Sequence, residues 1–63
     1  MNEEEMKKKI LEYLEKQPLF GHELAEKIGV AQMDLPLRRL EAMGLIKYND
    51  SDDKWYLKEK KAQ

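Results

Sequence analysis

Cysteine is missing from this 63-residue chain, and with it go disulfides, thiolate nucleophiles and thiolate metal ligands. A single histidine stands without an organised carboxylate cluster, so no metal site is expected. Purely apolar runs stop at two or three residues, whereas a membrane span needs about 20. The acidic N-terminus lacks an apolar h-region, which argues against a signal peptide. Neither sign of charge dominates, with 12 Lys+Arg against 13 Asp+Glu and a net charge of -1. Nucleic-acid-binding domains usually carry a basic excess that releases counterions from phosphate, so any basic footprint here must be local.

What is present is 41% hydrophobic and 40% charged residue, enough for one small core. Low net charge and regularly recurring Leu, Ile, Val, Tyr and Trp argue against disorder. A domain this small leaves about 40% of its unfolded surface exposed, so a water-excluded catalytic cleft is hard to build and no enzyme is expected. No cofactor is implied, and the expected location is the cytoplasm.

The spacing of apolar residues predicts a mainly α chain with a small antiparallel β hairpin, an α+β domain over 1–63. Its parts are helix 1 over 1–17, helix 2 over 21–29, helix 3 over 34–44, a hairpin over 45–58 and a frayed tail over 59–63. Asn2 caps helix 1 with Glu5 in a capping-box relation, while Glu3, Glu4 and Glu5 complement the dipole. Glu3/Lys7, Glu4/Lys8, Glu5/Lys9 and Glu12/Lys16 stand at i,i+4, so the Lys7-Lys8-Lys9 run reads as a solvated face. Met6, Ile10, Tyr13 and Leu14 form the buried stripe, with Leu11 beside it, and Pro18 ends the helix. Leu19 and Phe20 are expected as a brief extended stretch. Helix 2 then starts at Gly21 as cap, buries Leu24, Ala25 and Ile28, and stops at a left-handed Gly29.

Helix 3 turns on Pro36. With Asp34 as cap, the proline falls in the first turn, where a missing donor costs little. Leu37 and Leu40 face inward, Gly44 closes the helix, and the opposite face carries Leu35, Arg38, Arg39 and Ala42. Leu45 to Tyr48 and Trp55 to Lys58 alternate as strands around a polar turn from Asn49 to Lys54. Tyr48 and Trp55 are expected to pin the hairpin to the helices, and Met6, Met33 and Met43 to fill gaps. His22 reads as a surface residue at a helix start. Asp50, Asp52 and Asp53 lack the glycine and closing glutamate of a calcium loop.

The string Gly21-His22-Glu23-Leu24-Ala25-Glu26-Lys27-Ile28-Gly29-Val30, followed by Leu37-Arg38-Arg39-Leu40-Glu41-Ala42-Met43-Gly44-Leu45-Ile46, resembles the winged helix-turn-helix family. The opening Phe20-Gly21-His22-Glu23-Leu24 is similar to that of PadR-like regulators, within the range of PadR-like and MarR-like small DNA-binding domains. Trp55 resembles the hairpin tryptophan of Z-form-specific winged helices, and Glu41-Ala42-Met43-Gly44 is similar to the ferrous iron transport protein C.

The resemblance implies three helices plus a wing, and a small transcriptional regulator that contacts double-stranded DNA through helix 3. It carries the base-reading role onto Gln32, Leu35, Arg38 and Arg39, and phosphate contact onto Lys47 and Lys54. Arginine is bidentate to guanine, glutamine to adenine, and an apolar side chain meets the thymine methyl. A short helix with two arginines discriminates little alone, so a dimer or larger assembly is expected. Three features run the other way. The connection from Val30 to Leu37 is short for the family, Asp34 sits where a helix start would receive phosphate, and the turn carries three aspartates against one lysine. The alternative is a module that docks a protein through Leu35, Arg38, Arg39 and Ala42, since an exposed leucine among charges resembles an interface core with its rim, and a homodimer is a further expected assembly.

Overall fold

The computed structural model describes residues 2–58, and the expected tail over 59–63 lies outside them. Three helices, α1 (Glu3–Lys16), α2 (Gly21–Ile28) and α3 (Asp34–Ala42), combine with three short strands, β1 (Leu19–Phe20), β2 (Ile46–Asn49) and β3 (Lys54–Leu57). The strands form one antiparallel sheet in the order β1-β3-β2, giving a mainly helical α+β domain in a winged-helix-like layout. The extended Leu19–Phe20 stretch is thus a true edge strand, pairing Leu19 with Trp55 and Phe20 with Lys54. Two residues suffice because β3 already offers an ordered edge; an isolated two-stranded hairpin would be marginal. Among the described residues, no helix is long and apolar enough to cross a membrane.

Each helix is delimited by local chemistry. Asn2 Oδ1 accepts from the Glu5 N–H at 2.8 Å, and the three glutamates follow in the first turn. The expected i,i+4 pairs of α1 are not closed. Lys7 instead meets Glu4 at 3.8 Å, one residue closer in sequence, and Glu3 turns away to Arg39 of α3. Exposed pairs on a helix are worth only about 0.3–0.5 kcal/mol, so a competing partner readily redirects them. Helix α2 begins one residue earlier than expected. Phe20 takes the cap position, Gly21 is helical, and Glu23 reaches back to accept from the Phe20 N–H at 3.0 Å. The Glu23 carboxylate supplies the cap that Gly21, lacking a side chain, does not.

Helix α3 also departs by one residue at its start, because Met33 rather than Asp34 occupies the cap position. Met33 is buried, its carbonyl accepts the Leu37 N–H at 3.0 Å, and no side chain caps the helix. Burial of a thioether has outweighed capping chemistry, and Asp34 serves instead as a first-turn anion against the dipole. Pro36 falls in the first turn as expected. Both glycine stops are left-handed, Gly29 at φ 92° and Gly44 at φ 80°. Val30 N–H closes onto Ala25 O and Leu45 N–H onto Leu40 O, both at 3.0 Å, the six-to-one bonds of a Schellman ending.

The core joins all layers: Ile10 and Leu14 from α1, Leu24 and Ala25 from α2, Leu37 and Leu40 from α3, with Leu19, Met33 and Ile46. No polar side chain is buried among the described residues. Met43, expected to fill a gap, is instead 58% exposed at the outer edge between α1 and α3. At 100° per residue it lies too far from the Leu37–Leu40 direction to reach the core.

The glycines separate by conformation. A Cβ on Gly21 would meet Trp55 Nε1 at 3.5 Å and Leu37 Cδ1 at 3.6 Å, ordinary van der Waals separations, whereas Gly29 holds a φ that side chains resist. Gly21→Ala should therefore raise stability by about 0.4–1 kcal/mol, and Gly29→Ala should lower it by more than that. Urea unfolding of the two variants checks both signs.

Candidate functional site

The outward face of α3 carries Leu35, Arg38, Arg39 and Ala42, all exposed, and Leu35 is 61% exposed at its centre. Gln32, in the connection from α2, is exposed as well and lies on the Asp34–Arg38 side. The two arginines differ in environment. Arg39 is ion-paired with Glu3 across the α1–α3 edge, while Arg38 forms no ion pair among the described residues. Both side chains of the Arg39 pair are more than half exposed, so it contributes on the order of 0.2–1 kcal/mol, and Glu3 offsets the Arg39 charge that an incoming anion would meet.

Lys47 and Lys54 do not join that face. Residues opposite each other in an antiparallel pair share a side of the sheet. Ile46 pairs with Leu57 and Tyr48 with Trp55, and this is the side that meets the helices through buried Ile46. Lys47 pairs with Tyr56 and Asn49 with Lys54, so both lysines stand on the far side. There Lys54 Nζ lies 5.2 Å from the centroid of the Phe20 ring, which itself stacks on His22 at 5.3 Å.

The aspartates of the turn have an internal task that the sequence pattern did not reveal. Tyr48 O–H donates to Asp53 and Tyr56 O–H donates to Asp52, one bond from each side of the hairpin. Asn49 Oδ1 accepts from Ser51 N–H at 2.8 Å, and Asp52 Oδ1 from Lys54 N–H at 3.1 Å. Asp53 adopts φ 63°, a left-handed conformation that Asp tolerates better than most residues. Tyr48 was expected as a pin to the helices, yet it is 40% exposed and its hydroxyl serves the turn. Trp55 does pack against the core, with its ring 5.1 Å from that of Tyr48. The spacing of Tyr48, Asp52, Asp53 and Tyr56 is the signal that could have exposed this arrangement.

Between α2, α3 and the hairpin runs an open groove of about 720 Å³. Glu26, Asp34 and Glu41 border it together with the Arg38 guanidinium and the His22 imidazole, and Tyr48 and Trp55 form its hairpin wall. Among the described residues no cluster of His, Asp and Glu could hold a metal ion. No family model, curated protein or solved structure matches this chain.

The hairpin bonds leave titration signatures. The hydrogen bond to Asp53 first, then desolvation and the nearby aspartates, raises Tyr48 above its usual value; the bond to Asp52 does the same for Tyr56. The Tyr56 bond in turn holds Asp52 below the ordinary carboxylate value. The protonated phenols are the forms favoured by folding, so that contribution is complete below about pH 10 and is lost as pH rises through the raised values. The Asp52 contribution is complete above about pH 3.9 and is lost as pH falls through its lowered value. Ultraviolet tyrosinate titration should show two late-ionising phenols, and Asp52→Asn with Asp53→Asn should bring both back toward the ordinary value.

Proposed function

We propose that this chain is a winged-helix domain that docks a protein partner through the outward face of α3. The observation that carries this is Leu35, the most exposed large hydrophobic residue among those described, set among Arg38, Arg39 and Ala42. An apolar centre rimmed by arginine matches the core-and-rim anatomy of protein interfaces, in which arginine is enriched. Charge supports the same reading. One guanidinium of α3 is engaged by Glu3, Asp34 and Glu41 flank the other along the helix, and the two hairpin lysines stand across the sheet.

A second reading, a regulator that binds duplex DNA, is favoured by Gln32, Leu35 and Arg38 being exposed together beside a winged-helix hairpin. It would rest on very few phosphate contacts.

Proteins retained by the immobilised domain should be lost with Leu35→Asp and kept with Lys8→Ala. Thermal unfolding of Leu35→Asp should stay within about 0.5 kcal/mol of the parent, as expected for an exposed site. Recovery unchanged by Leu35→Asp contradicts the docking reading. In a parallel titration, duplex DNA should show no saturable binding at micromolar protein. Tight binding that weakens with salt, at a log–log slope near -0.9 for each phosphate contacted, would establish the DNA reading in its place.

A further inference from the structure

Helix α3 has two flanks of opposite character. At 100° per residue, Pro36 and Met43 fall on the side toward α1, and Asp34 and Glu41 fall on the side toward α2 and the hairpin. The second flank borders the groove, whose volume lies within the range of ligand-binding clefts, roughly 300–1,000 Å³. Three carboxylates, Glu26, Asp34 and Glu41, meet one guanidinium there, and none of the three forms an ion pair among the described residues. The opposite wall is aromatic. Tyr48 and Trp55 have centroids 5.1 Å apart with planes tilted by 54°, and Tyr48 is 40% exposed. An excess of carboxylates over the one guanidinium on one side and aromatic rings on the other form an environment that favours a planar cation.

We propose that this groove receives an arginine side chain carried on an extended segment of a protein partner, with the guanidinium against the Tyr48–Trp55 wall and its N–H donors toward Glu26 and Glu41. Arginine fits better than lysine because a flat guanidinium stacks on a ring while its edge donates to carboxylates. An anionic partner, phosphate included, is disfavoured by the same charges. The inference takes from the docking reading only that the partner is a protein; the groove shares Arg38 with the Leu35 face but not Leu35 itself.

Trp55 is the chain's one tryptophan, so its emission reports on this wall. The probe is a capped octapeptide alternating arginine and serine, with a glutamate–serine octapeptide and spermidine as comparators. The arginine peptide should change Trp55 emission saturably. Glu26→Gln combined with Glu41→Gln should weaken it by about tenfold, and Leu35→Asp should leave it unchanged. The glutamate peptide should give no saturable change, and spermidine should bind more weakly than the arginine peptide. Circular dichroism establishes that the double variant is folded, and Asp34→Asn provides a second, milder weakening if it is not. Equal affinity for parent and folded double variant, no saturation up to about 1 mM peptide, or spermidine binding as tightly as the peptide would each overturn the inference. Peptide failure with Leu35→Asp still abolishing partner recovery removes the groove alone. Peptide binding with partner recovery untouched by Leu35→Asp removes the outer-face reading alone.

Discussion

The period of two along β3 constrains the rest of the molecule. Trp55 and Leu57 must point one way and Lys54 and Tyr56 the other, and pairing with β1 and β2 imposes the same division on Leu19, Phe20, Ile46, Lys47 and Tyr48. Because Leu19 and Ile46 are needed in the core, the register is not free to slip; a shift of one residue would bury lysines and expose the core's edge. From that choice follow the placement of Trp55 against the helices, the aromatic wall of the groove and the removal of both hairpin lysines to the far side.

The core itself is small, so each buried residue matters. A 63-residue domain has a net stability of about 3–9 kcal/mol, and truncating one buried leucine or isoleucine to alanine costs about 2–5 kcal/mol. Ile10, Leu24 and Ile46 are the three largest fully buried side chains, one each from α1, α2 and β2, which ties the layers into one cooperative unit. Polar chemistry is kept to the surface and to the ends of elements: the Asn2 and Glu23 caps, the two glycine stops, and the Tyr–Asp bonds of the turn.

Helix existence, helix ends and the hairpin were legible in the sequence because periodicity, prolines and glycines act locally. The starts of α2 and α3 were misplaced by one residue for a physical reason: Glu23 and the burial of Met33 decided them, rather than the residue types with the best capping propensity. The outer face of α3 was legible from helical geometry, yet the state of its charges was not. Glu3 reaching Arg39 is a contact between residues far apart in the chain, and nothing in a one-dimensional pattern favours it over the i,i+4 lysine. The direction of Lys47 and Lys54 required the register. The aspartates looked like a repulsive wing tip, whereas two of them are hydrogen-bond acceptors for their own hairpin's tyrosines. Acidity there has a structural cause, and this alters how the surface is understood: cations are dispersed or engaged, and an exposed leucine and an acidic aromatic groove remain beside α3.

The account depends most directly on which residues of β2 and β3 face each other. Cross-strand backbone nuclear Overhauser effects in solution read this without reference to any partner. The expected result is proximity of Tyr48 to Trp55 and of Lys47 to Tyr56, with Leu19 opposite Trp55 on the other edge. Proximity of Lys47 to Trp55 would place Lys47 on the helix side and contradict the separation of charge on which the docking surface rests.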